Sequence, residues 1–244
     1  MARNGTIHIG TSGWEYRHWR GPFYPEDLGP EERLRFYADR LDAVEINRTF
    51  YSLPSTEAFA RWADAVPRGF RFVVKASRYI THMKKLRDPE EPVRKLYRVV
   101  DALGPAGGPV LYQLPPRWRC NTGRLAAFLD VLPSSHRTAF EFRDRTWFDP
   151  RVLDLLRNHD AAFCIWELAG EASPREVTTD LVYVRLHGPG EAYEGRYGRQ
   201  TLAGWAGACS AWATSGHDVW CFFDNDEQGF AAANAMELRD MLEG

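Results

Sequence analysis

The chain has 244 residues, 44% hydrophobic and 26% charged, which is enough for one large α/β domain or two small ones. No apolar run reaches the roughly 20 residues of a membrane helix, and a net charge of −2, with both signs spread along the chain, lacks the basic stripe of a dedicated nucleic-acid binder. The opening MARNGTIHIG has no basic-then-apolar leader pattern and Cys120, Cys164, Cys209 and Cys221 show no C-x-x-C spacing, so buried free thiols and a reduced cytoplasmic compartment are expected.

Strand-like segments recur from end to end: IHIGT (7–11), AVEIN (43–47), RFVVK (71–75), VLYQL (110–114), TAFEFR (138–143), AFCIW (162–166), LVYVRLH (181–187) and VWCFF (219–223). Helical patterns lie between most of them. TEAFARWADAVP (56–67) and GRLAAFLDVLP (123–133) end at prolines. In DPEEPVRKLYRVVDALG, Asp88 is the expected N-cap and Pro89 the first helical residue; Val93, Leu96, Val100 and Leu103 follow at helical spacing and Gly104 is the stop. Asp149 and Pro150 repeat that start in FDPRVLDLLRNHD, and FAAANAMELRDMLE (230–243) forms the last helix.

Eight strands, each followed by a helix or loop, predict an α/β chain folded as a single (β/α)₈ TIM-barrel-like domain over 1–244. An open doubly wound sheet competes. The barrel is favoured because no G-x-G-x-x-G follows the first strand and polar residues end nearly every strand. ELAGEASPREVTTD (167–180) carries no helical pattern, so the sixth crossover is expected to be short or irregular.

Side chains alternate between the two faces of a strand. With the apolar phase turned to the helices, the inward residues are Glu45 and Asn47, Val73 and Lys75, Leu111 and Gln113, Glu141 and Arg143, and Tyr183, Arg185 and His187. Phe222 and Asp224 share one face of the last strand, as do His8, Gly10 and Ser12 on the first. Barrel interiors are normally filled by branched apolar residues, and barrel enzymes keep their chemistry at the C-terminal strand ends. A polar ring there predicts either a site or a structural ion network plugging the barrel. Lys75, Arg143 and Arg185 exceed what two glutamates need, and surplus two-pronged donors suit a carboxylate or phosphate ligand.

Other residues carry two readings each. His187, before a glycine loop, is an acid/base group or a structural histidine. His82 lies on a site-side loop or simply on the surface, and His8 suits core hydrogen bonding. Trp14, Tyr16 and Trp19 in SGWEYRHWRG form either a stacking wall for a sugar or base, or a satellite apolar cluster. GPGEAYEGRYGRQ (188–200), with Tyr193, Arg196, Tyr197 and Arg199, reads as a mobile lid adding aromatic and cationic contacts. DND (224–226) is a weak metal motif or an Asx-capped turn.

Seven segments, IGTSGWEYRHWRGPFYP, VEINRTFYSLPS, FVVKASRYITH, LYQLPP, AFEFRDRTWF, VYVRLHG and CFFDNDEQGFAAANAMEL, resemble the YecE-like family, a domain of unknown function also named DUF72. The resemblance runs almost the full length and implies a TIM-barrel-like fold and no established activity. The family's motif positions fall here on Trp14, Glu45, Asn47, Phe50, Tyr51, Lys75, His82, Gln113, Glu141, Arg143, Trp147, Arg185 and His187. One departure stands near the last strand, where Asp224 takes the first position of the family's asparagine pair.

Three functions compete. The first is a hydrolase, lyase or isomerase acting on a small anionic, sugar- or phosphate-like substrate. In it Glu45, Glu141 and His187 are the catalytic acid–base groups, and Trp14, Tyr16, Asn47, Lys75, His82, Gln113, Arg143, Arg185 and Tyr197 bind substrate. No motif names a cofactor. The second is a metal-dependent phosphodiesterase of the endonuclease IV type, with Glu45, Glu141, His187 and Asp224 as ligands, by fold analogy. The third is a non-catalytic binding protein with the same ligand contacts.

Overall fold

The computed structural model describes residues 4–244. The elements run β1 (Ile7–Ser12), α1 (Arg33–Ala38), β2 (Ala43–Ile46), α2 (Thr56–Asp64), β3 (Arg71–Lys75), α3 (Glu90–Val100), β4 (Gly107–Gln113), α4 (Thr122–Leu129) and β5 (Thr138–Glu141). They continue with α5 (Pro150–Asn158), β6 (Ala161–Leu168), β7 (Glu171–Ala172), β8 (Leu181–Leu186), α6 (Arg199–Thr214), β9 (Asp218–Phe223) and α7 (Phe230–Glu243). All strands except β7 pair in parallel in the order β5-β4-β3-β2-β1-β9-β8-β6, and a β5–β6 pairing closes the ring. This is the predicted eight-stranded barrel. The sixth crossover is irregular as expected: β7 turns back antiparallel on β6, and no helix separates β6 from β8. Among the described residues no helix is long and apolar enough to cross a membrane.

Caps set several helix starts. Asp149 Oδ1 accepts from Arg151 N at 2.9 Å with Pro150 opening α5, Ser55 accepts from Ala58 N before α2, and Asn121 accepts from Arg124 N before α4. The expected Asp88 cap does not form. Asp88 sits at φ 43° and pairs with Lys84 at 2.9 Å, so α3 starts at Glu90, with Pro89 in the cap position.

Strand alternation sorts the core in two. Val44, Ile46, Phe140, Phe142, Val182, Val184 and Leu186 face the helices. Ala43, Val73, Leu111, Ala139, Ala162, Cys164, Leu181, Tyr183, Trp220 and Phe222 fill the barrel. The interior is thus a packed plug, small on one side (Ala43, Ala139, Ala162) and aromatic on the other (Tyr183, Trp220, Phe222). Cys164, Cys209 and Cys221 are buried free thiols, and Cys120 is half-buried.

His8 closes the floor. Its ring packs against Trp220 at 4.1 Å, and its buried Nδ1 lacks a hydrogen bond, with Asp42 at 3.8 Å. Burial first, then the Arg71 cation, lowers its pKa to about 4. The unfolded chain, at the ordinary value of 6.5, therefore takes up this proton first as pH falls. Neutral His8 contributes stability that is whole above pH 6.5 and is lost as pH falls toward about 4. Asp42, raised by burial to about 6, acts in the opposite sense. In NMR titrations of the folded protein the His8 ring should titrate near pH 4; a midpoint near 6.5 would mean that the floor is open to water.

Candidate functional site

The C-terminal ends of the strands converge on one guanidinium. Arg185, penultimate in β8, is fully buried. Its Nε and Nη2 donate to the Glu45 carboxylate at 3.0 and 2.6 Å, and Nη1 donates to Glu141 Oε2 at 2.7 Å. Nη2 also reaches Asp224 Oδ2 at 3.0 Å and Ser12 Oγ at 3.1 Å. The Ser12 and Tyr183 hydroxyls complete the Glu45 carboxylate at 2.8 and 2.7 Å. Four strands and the residue just past β9 thus contribute to one network, because alternation places each of these side chains on the inner face at the same end of the barrel.

A second layer rests on the first. The Arg143 guanidinium donates to Glu141 Oε1 and lies 5.1 Å from the Trp166 ring centre. His187 Nδ1 is 3.0 Å from Asp224 Oδ2, while its Nε2 is 2.8 Å from Arg143 Nη2 and 3.3 Å from Arg185 Nη1. Arginine only donates, so Nε2 must accept and the proton sits on Nδ1, facing Asp224. Burial pushes the Glu141 and Asp224 carboxyls up. The partners overrule it: the Arg143 and Arg185 cations hold Glu141 well below the usual carboxylate range, and the Arg185 cation and the His187 hydrogen bond hold Asp224 low.

Asp224 changes the charge count made from sequence. With it, three carboxylates face three cations, and Arg185 has no donor to spare for a ligand. The exception among the cations is Lys75. It ends β3, is 9% exposed, and has no ion pair among the described residues; its ammonium lies 4.8 Å from the Phe50 ring centre. Burial and then Arg185 lower its pKa, opposed by Glu45, Asp224 and Glu141.

The other predicted residues spread around this centre. Gln113 ends β4, half-buried and in register with Glu141. His82 lies in a single π-turn (Tyr79–Met83), edge-on to Phe50 at 5.0 Å, with Nδ1 2.9 Å from Thr81 Oγ1. Burial, Lys75 and Arg78 lower His82 to about 4, so it is neutral at pH 7. Asn47, just beyond β2, holds a buried Oδ1 with no partner and lines a cleft of about 150 Å³ with Gly13, Trp14 and Tyr16. Tyr16 donates its hydroxyl to Ser12 O at 2.5 Å.

Two residues stand elsewhere than expected. Trp14 is 4% exposed and packs edge-on against Trp62 at 5.3 Å and Phe72 at 6.3 Å, so little of its ring remains for stacking on a ligand. Trp19 is likewise core. Tyr197 is 1% exposed: its hydroxyl accepts from Gly188 N at 3.0 Å and its amide donates to Asn234 Oδ1 at 3.0 Å, which anchors the loop after β8 from beneath. The loop's outward tyrosine is Tyr193, 46% exposed and edge-on to His187 at 5.5 Å. Ser12 and Asp224 were legible only as neighbours in the alternation, and nothing in the local sequence marks their bonds to Arg185.

The four donors of the metal alternative do approach one another, but they are turned onto Arg185 and His187. Among the described residues no three His, Cys, Asp or Glu side chains stand in a metal-ligating group. Arg185→Met should leave Glu45 without a cation and weaken the hold on Glu141 and Asp224, at a cost of about 3–5 kcal/mol of stability at neutral pH. Because stranded buried carboxyls take up protons easily, lowering the pH from about 8 to about 5 should restore stability to the variant and not to the parent protein. Urea unfolding at the two pH values checks this; a variant within about 1 kcal/mol of the parent at neutral pH would contradict the network.

Comparison with known proteins agrees with this architecture. A DUF72 solved structure from Thermotoga maritima superposes with a TM-score of 0.88 at 28% identity, covering 98% of this chain and 100% of that one. A DUF72 protein from Enterococcus faecalis, at 21% identity and a TM-score of 0.81 over 98% of this chain and 96% of that one, shares the fold. Among curated sequences, UPF0759 protein YunF of Bacillus subtilis is 24% identical over 97% of this chain and 95% of its own length. UPF0759 protein YecE of Escherichia coli is 32% identical over 58% of this chain and 50% of its own. The model of the family described as "Protein of unknown function DUF72" matches residues 8–244, and the chain belongs to that family.

Proposed function

We propose that the barrel mouth is the active site of an enzyme that docks a small anionic, sugar- or phosphate-like substrate on Lys75 and moves a proton with His187. The observation that carries this is Lys75 itself. Lys75 balances the third carboxylate of the ring without pairing with any of them, and a largely buried ammonium so placed can meet an anionic ligand. Gln113 and Asn47 stand at the ends of β4 and β2, the strands on either side of β3, and offer neutral hydrogen-bonding groups at the mouth, while the exposed Tyr193, edge-on to His187, offers an aromatic one.

His187 supports the acid–base half. Its Nδ1 proton faces Asp224, an arrangement that stabilises an imidazolium formed when Nε2 takes up a proton. Arg143 Nη2 holds that nitrogen at 2.8 Å, with Arg185 Nη1 farther off at 3.3 Å. A substrate oxyanion that draws Arg143 toward itself leaves Nε2 with only its long contact to Arg185 Nη1, open to a substrate proton, so binding and activation are linked. Glu141, held ionised by two arginines, steadies Arg143 through this movement. Glu45 belongs to the Arg185 network and acts by position. Proton transfer of this kind serves a hydrolase, a lyase or an isomerase.

The test is a thermal-shift screen of sugar phosphates and organic acids against the parent protein and Lys75→Met. Ligand at about 100 times its Kd should add about 2.7 kcal/mol of stability to the parent, and the variant should lose most of that gain. Binding unaffected by Lys75→Met would sink the docking role. A hit recovered chemically unchanged after long incubation, by NMR of the mixture, would make the protein a binder and remove the catalytic half.

A further inference from the structure

A second group of cations lies on the other side of Tyr16 from the mouth. Arg17 and Arg20, on the loop after β1, and Arg33, at the start of α1, line one cavity of about 620 Å³, completed by Glu15 and Pro30. None of the three has an ion-pair partner among the described residues. Arg17 and Arg20 are exposed, whereas Arg33 is 6% exposed. Its Nη1 makes a long 3.5 Å contact to Tyr16 O, its guanidinium carbon lies 5.4 Å from the Tyr24 ring centre, and its buried Nε has no hydrogen-bond partner. The acidic residue of the lining, Glu15, stands 3.8 Å from Arg48 instead.

Burying a guanidinium without a carboxylate is costly, and a neighbouring tyrosine ring returns only part of that cost. Elsewhere in this barrel buried arginines are matched: Arg185 and Arg143 both face carboxylates. Arg33 breaks that pattern, and does so where two further guanidinium groups face the same space. Three planar forks around one cavity suit a tetrahedral oxyanion, whose oxygens accept several charge-assisted bonds at once.

We infer that Arg17, Arg20 and Arg33 form a second oxyanion site, outside the barrel mouth, that takes a phosphate group. It stands independently of the role proposed for Lys75. Glu15 and Tyr16 separate it from the ring: Glu15 also lines the small cleft that holds Asn47, so the two spaces share a wall.

Inorganic phosphate is the probe, titrated calorimetrically into the full chain at constant ionic strength, with chloride as the control. The variants are Arg17→Ala combined with Arg20→Ala, which alters exposed residues and keeps the fold, Arg33→Gln, and Lys75→Met. The parent should bind phosphate and not chloride, and the double variant should bind about tenfold more weakly or less. Lys75→Met should leave this binding in place. Phosphate binding that survives the arginine changes and falls in Lys75→Met would put the ion at the mouth, overturning the inference while leaving the Lys75 role intact. Equal heats for chloride, or no binding in the parent, would overturn it as well.

Discussion

One buried guanidinium organises the upper half of this barrel. Carboxylates from β2, β5 and the end of β9 point to a common centre, and three such groups repel one another out of water. Arg185 offers a planar set of donors that meets all three, with Nε and Nη2 on Glu45, Nη1 on Glu141 and Nη2 on Asp224. A lysine, with a single nitrogen, cannot reach so many partners in one plane. The parallel strands must close in their observed register for these groups to meet, so the network depends on barrel closure.

The electrostatics of the mouth follow from how this network is filled. Arg185 is spent on protein groups, and Arg143 is shared between Glu141 and His187. Their saturation fixes the His187 tautomer and leaves Lys75 as the ring cation with no carboxylate of its own. Glu45, Glu141, Lys75 and Arg185 lie within strands, whereas Arg143, His187 and Asp224 lie just beyond strand ends. A site built on strands holds its geometry more closely than one built on loops. The tyrosines divide in the same way: Tyr183 and Tyr197 are buried and hold structure, while Tyr193 faces outward over His187.

Much of this was legible in the residues. Period-two alternation placed Glu45, Lys75, Glu141, Arg185 and His187 on the inner face, and the strand count announced the barrel. The irregular sixth crossover was visible as a stretch without helical spacing. The shortfalls have physical causes. Alternation tells which face a side chain takes and nothing about its partners, so Arg185 looked like a ligand donor until Asp224 was seen to share it. Aromatic density near Trp14 and Trp19 looks the same in sequence whether the rings line a pocket or pack on Trp62, Phe72 and Tyr37. In the loop after β8, Tyr193 and Tyr197 differ only in spacing from the strand, and the inward tyrosine is settled by Asn234, far away on α7. Asp88 looked like a helix cap, but its pairing with Lys84 and its left-handed backbone prevail over local propensity.

The state of Lys75 carries the account, and its ammonium can be observed directly. Its titration, followed by ¹³C NMR at the Cε carbon in the folded protein, is the most direct measurement. An unpaired, buried ammonium near Arg185 should titrate below the 10.5 of an ordinary lysine, and the midpoint should rise when an anionic ligand occupies the mouth. A midpoint at or above 10.5 without ligand would mean that a carboxylate of the ring already holds this lysine, and the site would have no cation left to offer.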